Sequence, residues 1–301
     1  MKKIFTLLAL TISFSMNAQM SDNSSGTSAT GTNAVAMGNS TTASGTYSTA
    51  MGNSTTASGS RSTAMGQNTT ASGYANTAMG QNTTAGGTRS TAMGYGTTAS
   101  GYAATAMGSS TTASGYAATA MGSGTTASAD YSTAMGSGTT ASADYSTAMG
   151  SGASVGTYAS YGTAMGKNTL AWGDSSTAMG RSTTADGYRS TAMGSFTTAG
   201  DFASVVIGQY NSSGSIGNAD SFSTSNTAFV IGNGTTSSNK SDAFKVMFNG
   251  DATVSNDLTV SGDVVISSDA RLKSNIVSLG STLSKLLQID GKSYEMKGKQ
   301  K

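Results

Sequence analysis

Ser62-Thr63-Ala64-Met65-Gly66-Gln67-Asn68-Thr69-Thr70-Ala71-Ser72-Gly73-Tyr74-Ala75 is one unit of a pattern that fills most of the chain. Ala-Met-Gly recurs with methionine at positions 37, 51, 65, 79, 93, 107, 121, 135, 149, 165, 179 and 193, and Ile207 in Val206-Ile207-Gly208 continues the series. The step is 14 residues throughout, except for one of 16 between Met149 and Met165. A short fixed period predicts a solenoid, because each unit is too small to bury its own apolar face and must stack on the next.

Chemistry decides between helix and strand. Fourteen is two heptads, so a coiled coil has to be considered. Each unit, however, carries two or three glycines and several threonines and serines, all poor in helix interiors, with almost no leucine or isoleucine to offset them. Read as strands, a unit gives Ser62-Thr63-Ala64-Met65 and Thr69-Thr70-Ala71-Ser72, joined by glycine-containing turns. That is one coil of a flattened all-β solenoid, with about thirteen coils stacked in parallel roughly 4.8 Å apart. Alternation puts Thr63 and Met65 on one side of their strand and Ala64 and Gly66 on the other. One side is interior. The other leaves an apolar column facing water, which self-association, most simply threefold, would cover. The two additional residues of the 16-residue step are expected to bulge from a turn between Ser151 and Tyr161, keeping Met149 and Met165 in one column. Trp172, the single tryptophan, is expected to pack over that irregular coil.

The unit, Ser/Asn-Thr-Ala-Met-Gly followed by Thr-Ala-Ser-Gly, resembles the head repeat of trimeric autotransporter adhesins over roughly Asn33 to Gly208. Methionine stands where that family more often has isoleucine or leucine, a tolerable exchange for a flexible apolar side chain. The resemblance implies a left-handed parallel β-roll that assembles as a homotrimer, and an adhesive role. The C-terminal barrel strands and long heptad stalk of that family find no counterpart in the sequence, so no transmembrane anchor is expected within this chain.

One stretch of the unit varies. Four or five residues before each methionine stand Tyr47, Arg61, Tyr74, Arg89, Tyr102, Tyr116, Tyr131, Tyr145, Tyr161, Tyr188 and Arg189, with Asp130, Asp144 and Asp174 among them. Eight of the twelve tyrosines fall here, which is too many for chance scatter and predicts one longitudinal stripe. The stripe is a candidate binding surface for a host or matrix protein or a glycan, since aromatic and arginine side chains suit such contacts. The alternative is an exposed turn whose tyrosines stack on one another. The threonine columns through Thr63 and Thr69 suit strand propensity and packing, with an ordered-water lattice as the other reading.

After Gly208 the period fails. The runs Ala228–Ile231, Ala243–Phe248, Leu258–Val260 and Val264–Ile266, separated by turns such as Asn249-Gly250-Asp251, predict a short β-shaft. Then Ser267-Ser268-Asp269-Ala270-Arg271-Leu272-Lys273 resembles the opening of the intramolecular chaperone domain that ends phage tailspikes, endosialidases and many bacterial surface fibres. The resemblance implies self-cleavage after trimer assembly, with Ser268 as nucleophile, Lys273 as base and the cut between Ser267 and Ser268. A serine–lysine pair needs no histidine, because a desolvated lysine can act as the base. The alternative role is a helix cap, Ser267 or Ser268 satisfying the first turn of a C-terminal helix with Asp269 favourable beside it. That helix carries Leu272, Ile276, Leu279, Leu283 and Leu286 at heptad spacing, interrupted by Gly280. The family's domain is longer than the 34 residues from Ser268, so this is either a shortened version or a fragment.

At the other end, Lys2 and Lys3, an apolar run from Ile4 to Phe14, and Ala18 at a plausible cut read as a secretory signal. The run is too short to span a bilayer, which takes about 20 apolar residues. The expected organisation is therefore a signal peptide at 1–18, a polar segment at 19–32, head repeats at 33–208, a β-shaft or connector at 209–266 and a partial chaperone at 267–301.

Composition excludes most enzyme classes. With no cysteine and no histidine the chain lacks disulfides, thiolate nucleophiles, the usual zinc ligands and the commonest general base. No cofactor or metal is expected. Carboxylates stand singly along the turns, and Gly122-Ser123-Gly124 precedes no helix that could hold a phosphate. Beyond the signal, residues 20–268 carry 7 basic and 11 acidic residues, and the excess of cations sits in residues 269–301. Neither stretch has the dense basic field that nucleic acid requires. The leading reading is a secreted or surface-exposed trimeric fibre with an adhesive or surface-coat role. The alternatives are a phage-like tail fibre, against which the export signal argues, and a polysaccharide-degrading spike, which would need a groove of clustered carboxylates.

Overall fold

The structure, a computed structural model, describes residues 20–21, 25–212 and 218–262. It is an all-β parallel solenoid, and no helix occurs among the described residues. Each regular coil holds one long and one short strand. In the quoted unit these are Thr63–Gln67 and Thr70–Ala71. The long strand pairs in parallel with the coils before and after it, residue for residue, so that Met51, Met65 and Met79 align. The short strands stack likewise, Ala57 on Ala71 on Ala85. The long strands contribute to a 17-stranded sheet and the short ones form a 13-stranded sheet. The stack begins earlier than Asn33, for Met20–Ser21 pairs with Val35–Ala36 and Ser28–Ala29 with Thr42–Ala43.

The strand lengths differ from the sequence expectation, because Gly66 belongs to the long strand and not to a turn. Its φ is +126°, and a Cβ there would lie 1.9 Å from the carbonyl oxygen of Gly80 on the next coil. Only glycine lets the strand bend at this point while successive coils approach to hydrogen-bonding distance. The chain then turns twice per coil through left-handed residues. One is Asn68 (φ 52°), three after the methionine, which we call the exit corner. The other is four before the next methionine, Ala75 (φ 54°), which we call the entry corner. The turns are bonded between coils too: Asn68 N–H donates to Asn53 O (2.9 Å) and Ala75 N–H to Ser60 O (2.9 Å).

Two sheets this close leave room for small side chains alone. Ala64 and Ala71 face each other inside with Ser62 and Thr69, and their equivalents along the stack are equally buried. The interior column is thus alanine. Methionine lies outside, half-buried beside the threonine column of Thr63. The larger buried apolar side chains, Val155, Val206 and Val230, stand at the irregular coil and the last two, and Asn76 takes the place of the inner serine in one regular coil.

The 16-residue step behaves as expected. Met149 pairs with Met165, and Ser154–Val155 with Leu170–Ala171, so the additional residues lie between Val155 and Thr163. Tyr158 projects from that turn, 83% exposed, and Trp172 lies over it, its ring so close to Gly156 that a Cβ there would meet it at 2.3 Å.

The parallel stack also outlasts Gly208. Val205–Gln209 pairs in parallel with Phe229–Asn233, Ile207 on Ile231 and Gly208 on Gly232, so the coil recurs after a 24-residue step. Thr227–Asn233 is then met by Asp242–Met247, and that by Ala252–Val254, both antiparallel. This hairpin covers the edge that an open parallel sheet would otherwise present. It stands in place of part of the expected shaft. Leu258–Val260, expected as a strand, pairs with no strand among the described residues, and Leu258 is 72% exposed. The chain divides into two compact units at Asp257 and Leu258. Val264–Ile266, the Leu272–Leu286 heptads, Ser268, Lys273 and the signal at 1–18 lie outside the described residues.

Candidate binding surface at the entry corner

The entry corner collects the variable residues into one column. Each coil places its left-handed residue at the same point, so side chains 14 residues apart sit one coil apart. Tyr47, Arg61, Arg89, Tyr131, Tyr145, Tyr161 and Arg189 occupy the left-handed position itself, with φ between 56° and 60°. Tyr74, Tyr102, Tyr116 and Tyr188 stand one residue earlier. The two registers still converge. Arg61 lies over the ring of Tyr74 at 5.5 Å and donates to its hydroxyl, and Arg89 does the same to Tyr102 at 5.6 Å. From Tyr102 the column becomes aromatic alone. Tyr102–Tyr116, Tyr131–Tyr145 and Tyr145–Tyr161 are parallel stacks with centroids 4.9 to 5.0 Å apart. Tyr116–Tyr131, where the register changes, is tilted by 56° at 5.3 Å.

Before Tyr131 and Tyr145, though not before Tyr47 or Tyr161, stands an aspartate whose carboxylate bonds the preceding coil. Asp130 accepts from the backbone of Tyr116 (2.8 Å) and Asp144 from that of Asp130 (3.1 Å). The column breaks at Asp174 and Ser175, then resumes with Arg189 over Phe202 at 5.3 Å. Phe202 is a member that the sequence reading did not include, although it stands in the same phase five residues before Ile207.

This geometry settles what the rings offer. Their faces are turned on each other, in the favoured offset arrangement worth about 0.5–1.5 kcal/mol per pair. What remains outward is a row of ring edges and hydroxyls, with the tyrosines 36–62% exposed. Such a row suits hydrogen bonding to an extended polar partner better than it suits a sugar lying flat on a ring.

The stack also perturbs Tyr131. Its withdrawal from water between neighbouring rings, and then the charges of Tyr116, Tyr145 and Asp130, raise its phenol above the ordinary tyrosine value of 10.0. A raised pKa favours the neutral phenol in the folded chain, so its contribution is whole below the ordinary value and is lost as pH climbs through the raised one. Ultraviolet titration of the phenolate band should show a late component, above the ordinary tyrosine value of 10.0, that belongs to Tyr131. Tyr131→Phe should remove that late component, and persistence of the late component in the variant would refute the assignment.

Two further surfaces run parallel to this corner. One is the methionine and threonine face of the long strands. The other is the face of the short strands, where Thr70 and Ser72 and their equivalents point outward. Among the described residues no cluster of acidic or other ligating side chains could hold a metal ion. No helix among them is long and apolar enough to cross a membrane.

Two protein-family models match the chain. The YadA head domain repeat matches at residues 29–55, 57–75, 77–97, 99–125, 127–153, 159–183 and 171–197, together more than half of the sequence. The chaperone of endosialidase matches residues 268–301. Comparison with curated proteins finds no match.

Proposed function

The chain belongs to the family of YadA head-domain repeats, the repeats of trimeric autotransporter adhesins, and from that premise we propose that it works as an exported, surface-displayed trimeric fibre that attaches to a host or matrix protein or glycan. The observation that carries the reading is the run of in-phase head repeats, which stacks coils in register and puts an aromatic or arginine side chain on the entry corner of every coil from Arg61 to Tyr161. Residues 1–18 direct export, the stacked coils display the edge, and the chain after the closing hairpin leads to the chaperone at 267–301. The work is mechanical display; no turnover chemistry is part of it.

Assembly follows from the faces. The long-strand face carries a methionine on every regular coil, whereas the short-strand face carries hydroxyls, so the apolar face is the one that three chains bury against each other. The chaperone-of-endosialidase segment assists that trimerisation.

Attachment is tested at the left-handed tyrosines. Tyr131→Asn, Tyr145→Asn and Tyr161→Asn together keep residues that tolerate positive φ, so the coils should stay folded while the stack disappears. The triple variant, displayed on cells, should lose most of its adherence to matrix-coated surfaces at unchanged circular dichroism. Full adherence without the tyrosines would discard the edge as the adhesive element.

The tail carries its own expectation. Once the trimer has formed, Lys273 takes the proton of the Ser268 hydroxyl, whose oxygen attacks the carbonyl carbon of Ser267. The Ser267–Ser268 peptide bond breaks as its nitrogen takes up the proton, and water hydrolyses the ester left on Ser268. Ser268→Ala and Lys273→Ala should each abolish release of a fragment beginning at Ser268, read by mass spectrometry, without preventing assembly. A wild-type trimer that remains intact to Lys301 would leave Ser268 as a helix cap.

A further inference from the structure

The exit corner departs from its own rule at one place. Its left-handed position is held by Ser40, Ser54, Asn68, Asn82, Gly96, Ser110, Gly124, Gly138, Gly152, Asn168 and Ser182, all small or short polar residues. The next two coils put aromatic side chains there, Phe196 (φ 56°) and Tyr210 (φ 42°). Large rings at a corner that eleven sister coils fill with glycine, serine or asparagine point to a use for the rings.

The surroundings say which use. Phe196 and Tyr210 stack at 4.6 Å, nearly parallel, and the guanidinium of Arg181 lies over Phe196 at 5.3 Å. Among the described residues no further ring stacks on Tyr210, and both rings line a pocket. At this corner the short-strand sheet stops, and Asn211 completes the last short strand by bonding both N–H and C=O of Thr198 (2.8 and 2.9 Å). The 234–241 loop folds over the place where another coil would lie, pinned by Gly234 N–H to Gln209 O (3.2 Å) and Ser241 N–H to Tyr210 O (3.1 Å). Between loop and corner is a pocket of about 160 Å³ lined by Ser182, Phe196, Thr198, Tyr210, Ser237 and Lys240. That is space for one sugar ring, well below the size of pockets that take drug-like ligands.

Charge completes the specification. Lys240 lines the pocket, Arg181 backs the aromatic pair, and Lys167 pairs in register with Arg181. Three of the seven basic residues between 20 and 268 therefore gather at this corner of an otherwise acidic segment. Aromatic faces attract the electropositive C–H edge of a pyranose, hydroxyls match its hydroxyls, and an ammonium selects a negative substituent.

We propose that the exit corner at Phe196, Tyr210 and Lys240 binds a single acidic sugar residue, a hexose ring bearing a carboxylate, as the glycan-recognising point of the fibre. The proposal rests on the adhesin reading and names a ligand class for it at a different site from the tyrosine edge. The ring lies against the aromatic pair, the carboxylate meets Lys240, and Ser182, Thr198 and Ser237 take the hydroxyls.

The test is saturation-transfer NMR on the full-length protein with glucuronic acid, glucose and inorganic phosphate as probes. Glucuronic acid should bind at least about tenfold more tightly than glucose, the increment of one charge-assisted contact, and more tightly than phosphate, which cannot use the rings. Lys240→Gln should erase the preference over glucose. Phe196→Asn and Tyr210→Asn each place a residue that tolerates positive φ and occurs at this corner in other coils, so they should abolish binding while the melting temperature changes little. Equal binding of the two sugars, no binding, or phosphate binding that survives loss of the rings would overturn the proposal. So would aromatic variants that lose stability along with binding, for the pair would then be a structural plug. A fibre that adheres to cells yet fails this titration sinks the sugar site alone and leaves the adhesin reading intact.

Discussion

Gly122→Ala should break the solenoid in the middle. The residue sits inside a long strand at φ +125°, and a Cβ would stand 2.0 Å from the carbonyl oxygen of Gly136 and 2.9 Å from its carbonyl carbon. Both neighbours are backbone atoms of a hydrogen-bonded ladder, so relief requires that two coils separate. The cost combines a forbidden φ with the loss of several interchain-type ladder bonds and should exceed about 3 kcal/mol. Gly138→Ala is the control. It has positive φ as well, 60°, but nothing lies within 4 Å of its Cβ, and serine or asparagine stands at the same corner in other coils. Its cost should be about 1 kcal/mol. Because stability in a stacked array is carried by nearest-neighbour interfaces, the damage should be local. Hydrogen exchange should accelerate in coils 105–151 and remain slow near residue 50. Equal melting curves for Gly122→Ala and Gly138→Ala would show that close coil-to-coil approach does not fix the glycine.

The same glycine marks where the sequence was readable and where it was not. A strict period disclosed the solenoid, the parallel register and the column of Met149 and Met165 across the two-residue insertion, because in-register stacking needs nothing beyond identity at fixed spacing. It did not disclose that Gly66 lies within a strand. A glycine required for close approach and one required for a turn look alike in sequence. Alternation separated Ala64 from Met65 but not inside from outside, since either column could have been buried; the thickness of the roll decides, and it admits alanine. The coil at Phe229–Asn233 was hidden by its 24-residue step, although Val230-Ile231-Gly232 repeats Val206-Ile207-Gly208. Leu258–Val260 looked like a strand because strand propensity is a property of the run, whereas a strand needs a partner. At the entry corner the clustering of tyrosines was legible and their mutual stacking was not. Stacking depends on how side chains from two adjacent positions converge, which only the left-handed turn reveals. Phe196 and Tyr210 could have been found by asking which residues occupy a position that otherwise admits serine, asparagine and glycine.

The alanine interior has a consequence for assembly, and it leads to the second large effect. A roll filled by Ala120, Ala127, Ser132 and Thr125 buries little apolar area per coil, so a single chain gains modest hydrophobic stabilisation from its own core. The methionine column is the apolar surface that remains. Met121→Asp places a carboxylate in that column, beside Met107 and Met135 on the neighbouring coils. If three chains meet on this face, three carboxylates face the axis together without partners. Each is desolvated and each repels the others, so the cost is several kcal/mol per chain. Sedimentation should then fall from trimer to monomer, with a lowered melting temperature because the fold and the assembly share the same apolar area. Thr126→Asp puts the same charge on the short-strand face of the same coil, where water reaches it, and the trimer should persist with little change in stability. A trimer that survives Met121→Asp and dissociates with Thr126→Asp would assign the interface to the threonine face. In that case the exposed methionines, and not the hydroxyls, would be the surface the fibre presents to its surroundings.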